Sequence, residues 1–266
     1  MRELDIAVRD CMTSPVVGVR DDALLEEVER VLRRREISGV AVVDRSGAAV
    51  GVITRTDLLR AGRTRRDEAG GEHVLTLPDT PVHKHMHAGI VTIGPQATLA
   101  DAARHMVEHH VHRIYVTAGS ELVGVVSTRE VLRAIAAARS SKPIADLMSI
   151  ALVTVRPEDP LEFAIDRLTA ANVSGLVVVD REWPIGVFGQ LEALEAREAD
   201  PGERVDFWMD ALVICVPMWL PAHRAAAQAL ATNCRRVLAV DDMRARGLVT
   251  GIDFARIASV TPRRLG

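Results

Sequence analysis

The chain has 266 residues, 33 basic against 36 acidic for a net charge of −3, and 48% hydrophobic residues although only 3% of the chain is aromatic. Such a chain can form one large domain or two ordinary ones around an aliphatic core, and its balanced charge speaks against a general nucleic-acid binder. Three scattered cysteines (Cys11, Cys215, Cys234) without a CxxC pair argue against a disulfide framework or zinc ribbon, while the longest apolar run, at 211–220, is interrupted by Pro217 and is too short to cross a bilayer.

In chain order, the same succession of elements is predicted four times. Each copy opens on an apolar residue (Val8, Val82, Ile144, Val205) followed four positions later by a methionine (Met12, Met86, Met148, Met209). A short strand follows (PVVGV, GIVTI, ALVTV, LVICV), then a helix starting near Leu25, Leu99, Leu161 or Ala222. Fifteen positions on, a β-branched strand begins at Val40, Ile114, Leu176 or Val237. Each copy closes with a strand-to-helix corner: GVITRTD at Gly51–Asp57, GVVSTRE at Gly124–Glu130, GVFGQLE at Gly186–Glu192 and GLVTGID at Gly247–Asp253. The unit is strand, helix, strand, strand, helix, an α/β fold. Repeats of this period take precedence over any other reading of the chain.

The first long helix carries Leu25, Val28, Val31 and Leu32 on one side and Glu26, Glu29, Arg30 and Arg33 on the other, so one stripe is expected to be buried. A unit of about 50 residues is marginal alone and is expected to complete its core against another copy. Boundaries along the chain fall at 1–62, 82–140, 141–200 and 201–266, with a linker at 63–81. That linker is either solvated or carries Arg63, Arg65 or Arg66 onto an anion.

The order V-x-D-x-M, apolar strand, helix, SGVAVVD or HRIYV, then G-V-[IV]-[TS]-x-x-[DE] resembles the cystathionine-β-synthase (CBS) domain, in four copies that cover nearly the whole chain. The resemblance implies two Bateman modules, 1–140 and 141–266, each with a cleft between its repeats. They would assemble into a disc within one chain, as in the gamma subunit of AMP-activated protein kinase, or across a homodimer. It further implies a cytoplasmic regulatory protein, not an enzyme. Such a protein binds an adenosine-containing ligand (AMP, ADP or ATP first, with S-adenosylmethionine or cyclic di-AMP as others) and signals occupancy to a protein partner or to its own oligomer. It would require no cofactor, no nucleic acid and no membrane. The alternative is a ligand-free CBS scaffold.

A nucleotide site needs a carboxylate for the ribose hydroxyls and cations and hydroxyls for phosphate. The corner motifs offer Asp57, Asp253 and Glu130 for ribose, in that order, with Glu192 last because Gly189 replaces the hydroxyl. Thr54, Ser127 and Thr250 are the phosphate hydroxyls. The same residues also read as an N-cap and a first-turn acid. Just before the second strand, copies 2 and 4 carry basic pairs, His112-Arg113 and Arg235-Arg236, where copies 1 and 3 carry Ser38-Gly39 and Ser174-Gly175. The resemblance places Asp57 and Thr54 opposite His112 and Arg113, and assigns Val17, Gly18, Ser38, Gly39 and Thr92 to the base slot.

Seven of the nine histidines lie between His83 and His112. On a helix His83 and His87, or His105 and His109, would be i,i+4, a spacing that can chelate a metal. A solvated or phosphate-lining cluster is the plainer reading, and no metal is expected. Trp183, Trp208 and Trp219 are expected to pack in the core.

Overall fold

A computed structural model of the chain describes residues 2–62, 75–119 and 121–259. The linker arginines Arg63, Arg65 and Arg66 lie outside them. Copy 1 contains β1 (Gly18–Arg20), α1 (Leu25–Arg34), β2 (Gly39–Val43), β3 (Ala49–Thr54) and α2 (Arg55–Ala61). Copy 2 contains β4 (His87–Ala88), β5 (Thr92–Ile93), α3 (Leu99–Glu108), β6 (Arg113–Ala118), β7 (Glu121–Ser127) and α4 (Thr128–Ala138). Copy 3 contains β8 (Thr154–Val155), α5 (Leu161–Ala170), β9 (Gly175–Asp180), β10 (Trp183–Gly189) and α6 (Gln190–Glu195). Copy 4 contains β11 (Ile214–Pro217), α7 (Ala222–Ala231), β12 (Arg236–Asp241), β13 (Arg244–Thr250) and α8 (Gly251–Ser259). The α/β repeat predicted from the sequence is the observed fold.

Each copy builds one small sheet. The strand before the long helix (β1, β5, β8 or β11) runs parallel to the strand after it, with the helix as crossover, and that strand forms an antiparallel hairpin with the next. β4 extends the sheet of copy 1 antiparallel to β3. The four long helices begin at the four predicted residues and end alike. After α1, α3, α5 and α7 the chain turns through a left-handed residue, Glu36, His110, Asn172 or Asn233. The next residue's N–H then returns to a carbonyl five positions back, as in Val111 to Met106 at 2.9 Å.

Packing divides the chain into two units: Met1–Val16, Val91–Ala151 and Val213–Gly266 form one, Val17–Ile90 and Leu152–Leu212 the other. The first holds the sheets and helices of copies 2 and 4, where α4 packs on α7 and α8 and α3 packs on α8. The second holds those of copies 1 and 3, where α2 packs on α6. Each unit has one continuous apolar core.

The entry segments do not stay with the copy they precede. Each begins with a 3-10 turn whose first residue, Val8, Val82, Ile144 or Val205, is fully buried. Val8 and Met12 pack with copy 2, and Val82 and Met86 with copy 1. Ile144 and Met148 pack with copy 4, and Val205 and Met209 with copy 3. The boundaries drawn along the sequence follow the alignment, while the packing follows this exchange. The residue after each methionine bridges to the strand beyond the motif glycine, as Thr13 does to Val125 and Ser149 to Leu248.

Two side-chain expectations are corrected. Glu29, placed on the polar side of α1, is buried, because Arg197 from copy 3 reaches it at 3.5 Å and Arg33 at 3.4 Å. Of the tryptophans, Trp208 packs against the core of copies 1 and 3 from its edge, whereas Trp219 does not enter the core. Trp219 is 72% exposed, and half-buried Trp208 keeps its indole N–H on Glu203 at 2.8 Å. The interior is instead filled by aliphatic residues with Phe188 and Phe254.

Candidate functional site

The corner motif makes the same local structure each time. The backbone N–H of Thr54 donates to Asp57 Oδ2 at 2.8 Å and the Thr54 hydroxyl does so at 2.6 Å. Ser127 repeats this on Glu130 (2.8 and 2.7 Å) and Thr250 on Asp253 (2.8 and 2.8 Å). In copy 3, where glycine replaces the hydroxyl, only the Gly189 N–H reaches Glu192, at 2.8 Å. The carboxylates therefore cap the N-termini of α2, α4, α6 and α8 by accepting the N–H of the residue before each helix, with a hydroxyl joining in at α2, α4 and α8. Asp57, Glu130 and Asp253 are buried as a consequence.

The other oxygen of each carboxylate separates the copies. Glu130 and Asp253 hold the arginine one turn on, Arg133 at 2.7 Å and Arg256 at 2.5 Å. Arg60, the equivalent residue in copy 1, donates instead to Asn172 at 2.6 Å. Asp57 takes His87, whose Nε2 lies 2.9 Å from Oδ1. In copy 3 the equivalent position is Glu195. Burial raises its carboxyl above the usual range, and the Glu192 charge adds to this against Arg55 and Arg33. The corner of copy 3 thus faces a second acid, which disfavours an anion there.

Within the unit of copies 1 and 3, the sequence-predicted residues are disposed as follows. Val17 is half-buried ahead of β1, and Gly18 pairs with Ala41. Gly39 opens β2 opposite Thr54, and the Ser38 carbonyl accepts the N–H of Arg55 at 3.1 Å. This unit has serine-glycine before both second strands and holds Arg55 buried, 3% exposed, where the other copies have Thr128, Gln190 and Gly251.

The unit of copies 2 and 4 gathers both basic pairs. Arg113 lies opposite Ser127 across β6 and β7, and Arg236 lies opposite Thr250 across β12 and β13. Thr92, exposed at the start of β5, pairs with Tyr115. Burial lowers the His112 imidazole below its ordinary range. The charges of Arg113 and Arg236 lower it further, Asp253 opposes, and Arg235 adds to the lowering. Burial likewise lowers the Arg113 guanidinium, with Tyr115 opposing and Arg235 adding. Four basic side chains from two copies act on one another here. The carbonyl of His112 accepts the first N–H of α4 at 3.0 Å, which ties the basic pair to that helix start. The N-termini of α4 and α8 also meet, since a Cβ on Gly251 would fall 2.6 Å from Cβ of Thr128. Two positive helix ends and three arginines, with the His112 imidazole beside them, form a strong anion-binding arrangement.

The sequence reading placed Asp57 and Thr54 with His112 and Arg113. The two sets belong to different units, and within its own unit each has the partners just described. His83 and His87 are not on consecutive turns of one helix. His83 caps the carbonyl of Asp21 at 2.9 Å from a 3-10 turn, and His87 is in β4. Arg55, the His87 contact and the Glu192–Glu195 pair are not among the residues expected from the sequence. Only the first left a visible signal, an arginine where the other copies have small or neutral residues.

The family description "CBS domain" matches residues 8–63, 82–137 and 144–199, more than half of the chain. In fold the chain is similar to protein MJ1225 of Methanocaldococcus jannaschii, described as a candidate archaeal homologue of g-AMPK. The TM-score is 0.79 at 16% identity, over 95% of this chain and 99% of that one. It is also similar to an uncharacterized conserved protein of Pyrococcus horikoshii, with TM-score 0.67 at 18% identity over 95% and 100% of the two chains. In sequence, the uncharacterized protein MJ1404 of M. jannaschii is 28% identical over 182 residues, which are 65% of this chain and 41% of that protein. Among the described residues no helix is long and apolar enough to cross a membrane.

Proposed function

Since the chain belongs to the CBS domain family, we propose that it is a regulatory protein that binds an adenosine-containing ligand and passes its occupancy to a protein partner or to its own oligomer. The ligand is a phosphorylated one, with AMP, ADP and ATP first. The single observation that carries this choice is the gathering of His112, Arg113, Arg235 and Arg236 in the unit of copies 2 and 4. Cations held close together lose solvation and repel one another, and a bound phosphate relieves both costs. Ser127 and Thr250 stand opposite the two arginines, and Glu130 and Asp253 supply carboxylates one helical turn on. Asp57 with Thr54, Val17, Gly18, Ser38 and Gly39 is the second candidate half-site. Thr92 is the base-slot residue of the first. The protein is regulatory rather than catalytic in this reading, and cytoplasmic.

Ligand binding shifts a conformational equilibrium only through different affinities for two states. The test is calorimetric titration of the whole chain with AMP, ADP, ATP, cyclic di-AMP and S-adenosylmethionine. The phosphorylated ligands are expected to bind more tightly than S-adenosylmethionine, which lacks a phosphate. Absence of heat from all five, with an unchanged melting temperature, overturns the reading.

A second reading, a ligand-free scaffold, is favoured by the helix caps. All four corner carboxylates already accept hydrogen bonds inside their own motif. Partner capture that is indifferent to every nucleotide supports it.

A further inference from the structure

We propose that His105, Glu108 and His109, at the C-terminal end of α3, form a binding site for a divalent transition metal of the zinc class. One ligand atom from each of the three lies within 4.8 Å of the others. The sequence His-Met-Val-Glu-His puts them at i, i+3 and i+4, on one face of the helix. The two imidazole rings are stacked, 5.8 Å between centroids and 4° between planes. His105 Nδ1 is buried, accepts or donates no hydrogen bond among the described residues, and stands 3.8 Å from Glu108 Oε2. Metal–ligand bonds of about 2.0–2.2 Å draw such atoms somewhat closer, which side-chain rotation at this exposed edge supplies.

Three further observations favour the site. The helix end is held rigid by the return of His110 N–H to Val107 and of Val111 N–H to Met106. The negative end of the helix dipole favours a cation at that turn. The fold itself does not ask for these residues. At the corresponding positions the other copies carry Val31, Arg34 and Arg35, then Arg167, Ala170 and Ala171, then Gln228, Ala231 and Thr232. Their helices end in the same turn without any ligand set. Two imidazoles and one carboxylate suit Zn2+, Co2+ or Ni2+ rather than Mg2+ or Ca2+.

The experiment is a Co2+ titration of the whole chain followed by visible absorption, with Zn2+ as displacer. One Co2+ per chain is expected, displaced by Zn2+. Changing an outer-shell partner of a metal ligand typically costs about 10–100-fold in affinity, so His105→Ala and His109→Ala, which remove ligands, should each cost at least about tenfold. His83→Ala should change nothing. Affinity should fall on acidification, because protons compete with the metal for the same ligand atoms. His109 is exposed, so its variant keeps the test valid if His105→Ala perturbs the helix. Failure to bind Co2+ overturns the proposal, as does stoichiometric binding that survives the double variant.

Discussion

Met86 fills the space that any side chain at Gly51 would need. A Cβ there would lie 2.7 Å from the methionine sulfur and 2.5 Å from the carbonyl oxygen of His87. Gly247 stands in the same relation to Met148, at 2.6 Å from its sulfur. Methionine and glycine are thus two halves of one contact, made by an entry segment crossing to another copy. Because a backbone carbonyl is involved at Gly51, the clash cannot be relieved by rotating a side chain alone. Gly51→Ala and Gly247→Ala should each destabilise by about 1–3 kcal/mol. Gly94→Ala, with nothing within 4 Å of the added atom, should stay within about 0.5 kcal/mol. Urea denaturation midpoints at constant slope check all three.

Loss of one arginine from the basic cluster removes a charge-assisted hydrogen bond to a bound phosphate. Arg113→Ala and Arg236→Ala should each weaken AMP binding by about 1.5–3 kcal/mol, or roughly ten- to a hundredfold. Glu192→Ala, at a corner that faces Glu195, should leave it unchanged. Equal calorimetric affinities in all three variants would disconnect the cluster from the ligand.

The lowered His112 imidazole gives the cluster a pH signature. Its proton affinity in the folded protein lies below the ordinary value of about 6.5. The group is therefore neutral in the fold while the unfolded chain takes up a proton more readily. Its contribution to stability is complete above about pH 6.5 and is lost as the pH falls below it. A bound phosphate reverses the bias and raises the imidazole, so binding takes up a proton. Affinity for AMP should rise as the pH is lowered from 8 towards 6.5, and His112→Asn should flatten that slope.

Cys11 is expected to be a slow nucleophile. Burial first, then the charges of Glu130 and Asp10 against Arg133, push its thiol up to about 11. At pH 8 only about one molecule in a thousand carries the thiolate. Alkylation with iodoacetamide at that pH should be slower at Cys11 than at an unperturbed thiol by on the order of a hundredfold. Denaturant should release it.

Much of the fold was legible because the repeat overdetermines it. The starts of α1, α3, α5 and α7 at Leu25, Leu99, Leu161 and Ala222 follow from helical periodicity. The second strands begin one residue ahead of the predicted Val40, Ile114, Leu176 and Val237. The capping geometry of Thr54 and Asp57 was legible too, because a hydroxyl and an acid three residues apart at a helix start have one favourable arrangement. The burial of Glu29 was not, since Arg197 lies far along the chain and its approach leaves no local pattern. The exposure of Trp219 was equally silent, as the size of a side chain does not say which face of a loop it leaves by.

The sequence by itself determined the four-fold repeat, the elements of each copy and the chemistry available at each corner, because periodicity, capping and turn formation act over a few neighbouring residues. Only the tertiary structure decided which copy each entry segment packs on and which copies share a core. The apolar faces of four similar units are nearly interchangeable in composition, and their pairing is settled by shape, as Met86 against Gly51 illustrates. That pairing turned the alternation of Ser-Gly with His-Arg and Arg-Arg into a segregation, with both basic pairs in the unit of copies 2 and 4.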